Sequence, residues 1–177
     1  MSEISARSDE ICTPLDAVVG LGSNLGDRFS YLRFAVRRLA ELGADLRVSG
    51  IYETEPLGPP QPRYLNAAVR ARFELSPRSL LNSLLEIERA AGRERRERWG
   101  ARTLDLDLLW IAGVSVNEPD LRVPHPELTR RAFALAPLVE LAPEATDPQA
   151  DESYSERLAR LDLEGVERLS VALWERG

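Results

Sequence analysis

The sequence predicts an α+β domain with a ferredoxin-like sheet in the order β-α-β-β-α-β, followed by a helical extension. Apolar residues recur at helical spacing in two segments and follow strand patterns in four shorter ones. Residues 56–63, between the second and third predicted strands, contain four prolines. They cannot form the helix that a parallel α/β fold would need there. Both helices should therefore cover one face of the sheet.

Local signals place each element. Asp27 and Ser76 are suitable N-caps, and Pro77 suits the first helical position. Gly43 and Gly92 follow the two helical patterns, where glycine commonly ends a helix. The predicted strands are 17–22, 46–54, 64–75 and 103–113, and the predicted helices are 28–43 and 77–92. Weaker patterns predict helical pieces within 124–143 and 152–165 and a late strand within 168–174.

Length and composition are those of a single globular domain. The chain has 177 residues, 44% hydrophobic and 29% charged. We expect a disordered leader over residues 1–16 and one domain over residues 17–177. No apolar run approaches a membrane span, and a net charge of −6 argues against general affinity for nucleic acid or membrane. Because the lone Cys12 cannot form an intrachain disulfide, we expect a cytoplasmic protein.

Two acids lie inside the fourth predicted strand. Side chains two residues apart in a strand share a face, about 6.6–6.8 Å apart along the chain. Asp105 and Asp107 should therefore project side by side, while Leu104, Leu106 and Leu108 face the core. A solvated acidic edge is one interpretation. The central position in the strand and the arginines just before it favour a divalent cation, and carboxylates that share coordination with phosphate and water suit Mg²⁺.

Five arginines lie in the ten residues before and around the start of this strand. Taken alone, their alternation with Glu94 and Glu97 fits a solvated surface as well as it fits a phosphate-binding site. Guanidinium groups match phosphate oxygens in bidentate geometry, so beside paired acids they favour phosphoryl transfer. Trp99 is costly to expose and should pack against a ligand or loop. The arginines are Arg93, Arg95, Arg96, Arg98 and Arg102.

Two other motifs are weaker signals. The segment GLGSNLGDR, residues 20–28, lacks the ending of a Walker motif, and Leu25 breaks the dinucleotide-binding spacing. Its glycines are interpreted as turning a strand into a helix. His125 lies between two prolines. It is either structural or a hydrogen-bond donor to phosphate.

Four segments, spread over roughly residues 17–144, form one ordered pattern: GLGSNLGDR, YETEPLGPPQPRYLNAAV, GRERRERWGARTLDLDLL and VPHPELTRRAFALAPLVELAPE. Together they resemble the 6-hydroxymethyl-7,8-dihydropterin pyrophosphokinase family of folate biosynthesis. The resemblance implies a ferredoxin-like fold and transfer of the β,γ-diphosphate of ATP to the pterin hydroxymethyl oxygen, with release of AMP. Two positions depart from the family pattern: Ala101 stands where proline is common, and Arg122 where threonine is frequent.

The resemblance also implies site residues. Asp105 and Asp107 would hold two Mg²⁺ ions, and Arg93 and Arg102 would stabilise the transferring group, so these four are the predicted catalytic residues. The predicted nucleotide-binding residues are Glu88, Arg95, Arg98, Trp99, Leu108, Arg122, His125 and Arg131. The predicted pterin-binding residues are Thr54, Leu57, Tyr64, Asn66 and Phe133. Aromatic faces and an asparagine amide suit a flat heterocycle with a donor–acceptor edge.

Two other functions are compatible with part of the pattern. A metal-dependent nucleotidyltransferase would use the same aspartates but release pyrophosphate instead of AMP. A ferredoxin-like RNA-binding domain would need exposed aromatic side chains on the sheet. A ferredoxin-like regulatory domain would have no need of paired acids. We expect ATP and the pterin as partners, no nucleic acid or membrane, and a monomer. Residues 56–63 and 93–102 are predicted to close over bound ATP.

Overall fold

The structure is a computed structural model that describes residues 4–5, 14–56, 58–92, 101–150 and 152–174. In chain order its elements are β1 (Ile4–Ser5), β2 (Leu15–Ser23), α1 (Arg28–Leu42), β3 (Gly43–Val48), β4 (Ile51–Thr54), β5 (Tyr64–Phe73), α2 (Pro77–Ala90), β6 (Asp105–Ile111), β7 (Val114–Glu118), β8 (Leu121–Val123), a 3₁₀ turn (Leu128–Arg130), α3 (Ala132–Leu141), β9 (Thr146–Asp147), β10 (Glu152–Ser153), α4 (Tyr154–Ala159) and β11 (Val166–Leu169).

The predicted ferredoxin-like α+β sheet is confirmed. Strand β2 lies at its centre, antiparallel to β5 on one side and to β6 on the other. Beyond β5 the sheet continues through β4 to β11, and beyond β6 it continues through β7 to β1. The late strand is part of the main sheet because β11 pairs antiparallel with β4.

Both predicted helix starts are confirmed. Asp27 accepts a hydrogen bond from the Ser30 amide at 3.0 Å, and Ser76 accepts one from the Ser79 amide at 3.1 Å. Each bond satisfies an amide that would otherwise lack a partner in the first turn. The second helix ends just before Gly92, whose φ of +74° is a conformation that favours glycine.

The face of the sheet toward α1 and α2 holds the main core. Leu32 and Leu39 of α1 and Leu84 of α2 are fully buried there against alternate residues of the central strands. The predicted core residues Leu104, Leu106 and Leu108 all belong to this cluster. On the opposite face, α3 and α4 form a second apolar cluster with the far end of the same strands. The remainder of that face is where a cavity opens.

Several predicted boundaries are wrong. The leader was expected to reach residue 16, but β2 begins at Leu15, whose side chain is buried opposite Phe73. Ile4–Ser5, also inside the predicted leader, forms a strand parallel to β7. The rest of the leader, residues 1–3 and 6–13, lies outside the described residues.

The predicted strand 46–54 is two strands, β3 and β4. They are separated at Ser49, whose hydroxyl accepts the Ala68 amide and whose own amide donates to the Ala68 carbonyl. The late strand ends at Leu169 and does not extend to residue 174. Among the described helices, none is both long and apolar enough to cross a bilayer.

Candidate active site

A cavity of about 370 Å³ opens on the sheet face opposite α1 and α2. Strands β2, β5 and β6 form its floor, and the segment from the loop after β8 into α3 forms one wall. The volume is within the usual range for a small-molecule site. Nine of the predicted site residues line it: Thr54, Tyr64, Asn66, Arg102, Asp105, Asp107, His125, Arg131 and Phe133.

The acid pair lies on the cavity side of β6, as the strand alternation predicted. Asp105 and Asp107 both line the cavity, whereas Leu106 between them is in the main core. On the neighbouring strand β2, the residues directly paired with these acids are Gly22 and Gly20. Because glycine has no side chain, neither residue adds side-chain atoms to the cavity beside its paired acid.

Sequence reasoning missed this role of the glycines. A Cβ at Gly20 would meet Leu109 at 3.0 Å, and a Cβ at Gly22 would lie 3.4 Å from the Asn66 side-chain oxygen. Only Gly26, with a φ of +70°, matches the interpretation of the glycines as a turn. The spacing of Gly20 and Gly22 could have predicted that both lie on one face of the strand, because residues two apart in a strand share a face.

The protein disfavours the ionised form of Asp107. Enclosure by protein, with the nearby carboxylates of Asp105 and Glu88, raises the pKa of Asp107 to about 7, and Arg131 and Arg102 offset this only in part. The side chain still keeps 42% of its surface open. The protein has therefore placed a carboxylate where it lacks compensating positive charge and where a cation can reach it.

The donor set at this point fits Mg²⁺. It consists of two carboxylate groups on one strand face, and their hard oxygen atoms are the type of ligand that this ion prefers. Within the described part of the chain, no group of three or more His, Cys, Asp and Glu residues is placed to hold a metal ion. Phosphate oxygens and water would therefore have to complete the coordination.

Arg102 is the described cation nearest to the acids along the chain. Its guanidinium donates to the Asp105 carboxylate at 2.7 Å. Burial, the largest single cause, acts to lower the pKa of Arg102. The charge of Asp105, its hydrogen bond and the nearby Tyr64 and Asp107 together outweigh burial, so the pKa is raised and the side chain remains a cation. A second arginine, Arg131, also lines the cavity. These two groups can bind phosphate oxygens brought to the acids.

His125 presents a neutral donor to the same space. Its Nδ1 accepts the Glu127 amide at 3.2 Å, so the ring proton is on Nε2, which lies 4.0 Å from an Asp107 oxygen. Burial and the charge of Arg131 lower the pKa of His125, which keeps the ring neutral near pH 7. This geometry favours the second of the two interpretations of His125, a donor to phosphate.

Two aromatic side chains, Tyr64 and Phe133, also line the cavity. The Asn66 amide, another part of the lining, donates to the Thr54 hydroxyl at 2.8 Å, and both of these polar side chains are buried. The bond fixes the orientation of the amide, so its remaining hydrogen-bonding groups can select one edge of a flat polar ring.

Three residues assigned to the nucleotide side do not line this cavity. The Glu88 side chain is buried beneath β6 and accepts the Leu106 amide at 2.7 Å. Leu108 faces the main core because alternation in β6 directs it away from the acids. Arg122 is exposed on β8. Five further predicted site residues lie outside the described residues: Leu57, Arg93, Arg95, Arg98 and Trp99.

Solved structures with the same fold are HPPK-DHPS proteins. One HPPK-DHPS structure in complex with substrates has a TM-score of 0.66 and 14% identity, over 90% of this chain and 47% of that one. The wild-type Plasmodium falciparum HPPK-DHPS structure with pterin and p-hydroxybenzoate has a TM-score of 0.69 and 15% identity, over 92% of this chain and 48% of that one. The chain thus spans about half the length of these structures, and at this identity they show the fold alone.

Sequence comparison identifies the family. Proteins named 2-amino-4-hydroxy-6-hydroxymethyldihydropteridine pyrophosphokinase are 41% identical over 85% of this chain in Synechocystis sp. and 43% identical over 86% in Methylorubrum extorquens, covering 78% and 98% of those relatives. The family model of 7,8-dihydro-6-hydroxymethylpterin-pyrophosphokinase (HPPK) matches residues 18–143, more than half of the chain. The chain therefore belongs to the 7,8-dihydro-6-hydroxymethylpterin-pyrophosphokinase family.

Proposed function

We propose that this protein transfers the β,γ-diphosphate of ATP to the hydroxymethyl group of 6-hydroxymethyl-7,8-dihydropterin, giving the pterin diphosphate and AMP in folate biosynthesis. One observation carries the proposal: a single cavity is lined by paired aspartates, by an arginine and by two aromatic rings. Membership of the pyrophosphokinase family supports the same reaction.

The aromatic side chains would bind the pterin. Tyr64 and Phe133 offer apolar faces to the flat ring, and Asn66 offers an amide to its polar edge. A pterin held in this way would point its hydroxymethyl group toward the acid pair. Fixing the oxygen near the β-phosphorus of ATP removes much of the entropic barrier to an in-line attack. The new O–P bond forms as the bond from the β-phosphorus to the AMP oxygen breaks, and the hydroxyl proton passes to solvent or to an aspartate oxygen.

The charged side chains would bind the triphosphate. Arg102 and Arg131 would neutralise charge on the diphosphate as it is transferred, and His125 would donate from Nε2 to a phosphate oxygen. Asp105 and Asp107 would hold two Mg²⁺ ions, which supply charge neutralisation to the phosphates when bound. Arg93 is proposed as a second transition-state arginine, and Arg95, Arg98 and Trp99 as nucleotide contacts, on the sequence motif alone.

Glu88 is assigned a supporting role within the same proposal. Its carboxylate accepts the amide of Leu106, the residue between the two acids. That bond holds the backbone of β6 from the face opposite the cavity, so Glu88 would orient the acid pair without touching the nucleotide.

We also propose that the protein acts as a cytoplasmic monomer with no nucleic-acid or membrane partner. The net charge of −6 supports the absence of general nucleic-acid binding, and a chain with one cysteine has no internal disulfide to maintain.

The test is a product assay. The protein is mixed with ATP, Mg²⁺ and the reduced pterin alcohol, and nucleotides are separated by chromatography. AMP and the pterin diphosphate should appear in equal amounts, and neither should form without the pterin or with excess chelator. Release of pyrophosphate would instead indicate the nucleotidyltransferase, and absence of both products would refute the proposal.

A further inference from the structure

Asn24 joins the two chain segments that flank the cavity. It lies in the turn between β2 and α1 with 1% of its surface exposed, and it does not itself line the cavity. Its backbone amide donates to the Arg102 carbonyl at 3.1 Å, and its side-chain oxygen accepts the Arg102 amide at 2.8 Å. Its side-chain nitrogen donates to the Pro62 carbonyl at 3.0 Å and to the Gln61 side chain at 2.9 Å.

The orientation of this amide is determined by its partners. The Pro62 carbonyl can only accept a hydrogen bond and the Arg102 amide can only donate one, so the nitrogen must face Pro62 and the oxygen Arg102. The two halves of one side chain therefore have separate functions. The side-chain oxygen holds Arg102, three residues before β6 begins, and the side-chain nitrogen holds the end of the proline-rich loop.

Arg102 depends on these contacts because it lies before the strand. Strand β6 begins at Asp105, and the pairing between β2 and β6 extends only to Gly22 and Asp105. The two bonds to Asn24 continue that pairing beyond the regular ladder. They fix the backbone from which the Arg102 guanidinium reaches Asp105 at 2.7 Å.

The proline-rich loop has a second attachment at the start of α1. Arg28 donates to the Arg63 carbonyl at 2.8 Å and to Glu53 at 2.9 Å. Both residues thus hold the end of the loop, but of the two only Asn24 is bonded to Arg102. This difference makes Arg28 a matched control for Asn24.

We propose that Asn24 is a positioning residue that acts through Arg102. Its acceptor oxygen fixes the backbone that carries the guanidinium toward the transferring phosphate, and its donor nitrogen holds the end of the proline-rich loop, two residues before Tyr64 of the cavity lining. The inference rests on the proposed diphosphate transfer. A misplacement of about 1 Å can cost roughly 100-fold in rate even when the altered residue touches no substrate.

A double-mutant cycle tests this inference. Asn24→Ala should lower kcat by about 10- to 100-fold in the otherwise native protein, but by less than about threefold in an Arg102→Ala background, because the group it positions is then absent. Asn24→Asp keeps the acceptor oxygen and loses the donor. It should keep kcat within about fivefold while raising KM for the pterin.

Two further variants keep the result interpretable. Arg28→Ala should leave kcat within about threefold at saturating substrates, because it loosens the loop without releasing Arg102. Asn24→Ser is used in the same cycle if Asn24→Ala does not fold, as judged by circular dichroism. Equal losses of kcat in both backgrounds, or an unchanged kcat, would overturn the inference. A native protein that forms no AMP would instead overturn the proposed function.

Discussion

The same three central strands present opposite chemistry on their two faces. Toward α1 and α2 they offer side chains such as Val19 and Leu106, which are almost fully buried. Toward the cavity their neighbours in sequence are Gly20 and Asp107, one without a side chain and the other charged. Because adjacent residues of a strand point to opposite faces of the sheet, one residue stabilises the fold and the next faces the cavity.

The difference shows where stability and activity are in conflict. The helix-covered face gains free energy from each buried apolar side chain. The cavity face does not, because a carboxylate with a pKa near 7 is held there without enough compensating charge. Substitutions on one face should thus change the free energy of unfolding, and substitutions on the other should change catalysis.

The largest contrast is expected between adjacent residues of β6. Asp107→Ala should lower AMP formation by more than about 10⁴-fold with an unchanged fold, since it removes a proposed metal ligand and no core packing. Leu106→Ala should instead lower the free energy of unfolding by about 2–5 kcal/mol, and its folded fraction should remain active. Chemical denaturation and the AMP assay measure both. Native-like AMP release by the Asp107 variant would refute the metal assignment.

The next effect concerns the arginines at the cavity. Arg102→Ala, and by motif Arg93→Ala, should lower kcat by roughly 10³-fold with a smaller change in nucleotide affinity, because these groups are proposed to bind charge that develops during transfer. The control is Arg78→Ala, which removes only ion pairs to Glu118 and Asp120 outside the cavity. Titration calorimetry with a nonhydrolysable nucleotide separates the cases: a loss confined to binding would make Arg102 a ground-state contact.

A smaller contrast is expected between two phenylalanines. Phe133→Ala should raise KM for the pterin by about 30-fold and leave nucleotide affinity unchanged, because it removes one aromatic wall of the cavity. Phe73→Ala, in the main core, should lower the free energy of unfolding by about 3–5 kcal/mol without changing KM. If Phe133→Ala changed only stability, that ring would belong to the packing of α3 and not to a pterin site.

The smallest effect is a dependence of stability on pH. Between pH 3.8 and about 7, folded Asp107 keeps a proton that the unfolded chain has lost, so the free energy of unfolding of the metal-free protein falls as pH rises through that range. The Asp107→Asn variant should not show this loss of stability with pH. Above pH 7 its free energy of unfolding should exceed that of the native protein by about 1–2 kcal/mol, after allowance for solvent screening of a half-open side chain.

Thermal unfolding in chelator at several pH values measures this difference. Mg²⁺ should then stabilise the native protein and not the variant. A stability difference that stays constant with pH would contradict the charge imbalance at Asp107.

Predictions from the sequence succeeded where the deciding forces act between near neighbours in the chain. The N-caps at Asp27 and Ser76 and the shared face of Asp105 and Asp107 follow from backbone geometry over two or three residues. The split between β3 and β4 was missed because the interrupting contacts of Ser49 are made to a distant residue, Ala68. No pattern in residues 46–54 records that contact.

The same distinction applies to the candidate site. Leu108, Glu88 and Arg122 were assigned to the nucleotide side by motif position, yet none lines the cavity. The role of Asn24 was also absent from the prediction, because its partners are 37 to 78 residues away in the chain.

The sequence by itself determined the central β-α-β-β-α-β order, the alternation that places both aspartates on one face, and the family. These depend on local periodicity and on motifs that can be read along the chain. Only the tertiary structure decided that a cavity exists over those aspartates, that Gly20 and Gly22 leave it open, and that His125 and Phe133 close its side. The physical reason is that the cavity is the part of the sheet that α3 leaves uncovered, which depends on packing between segments far apart in the chain.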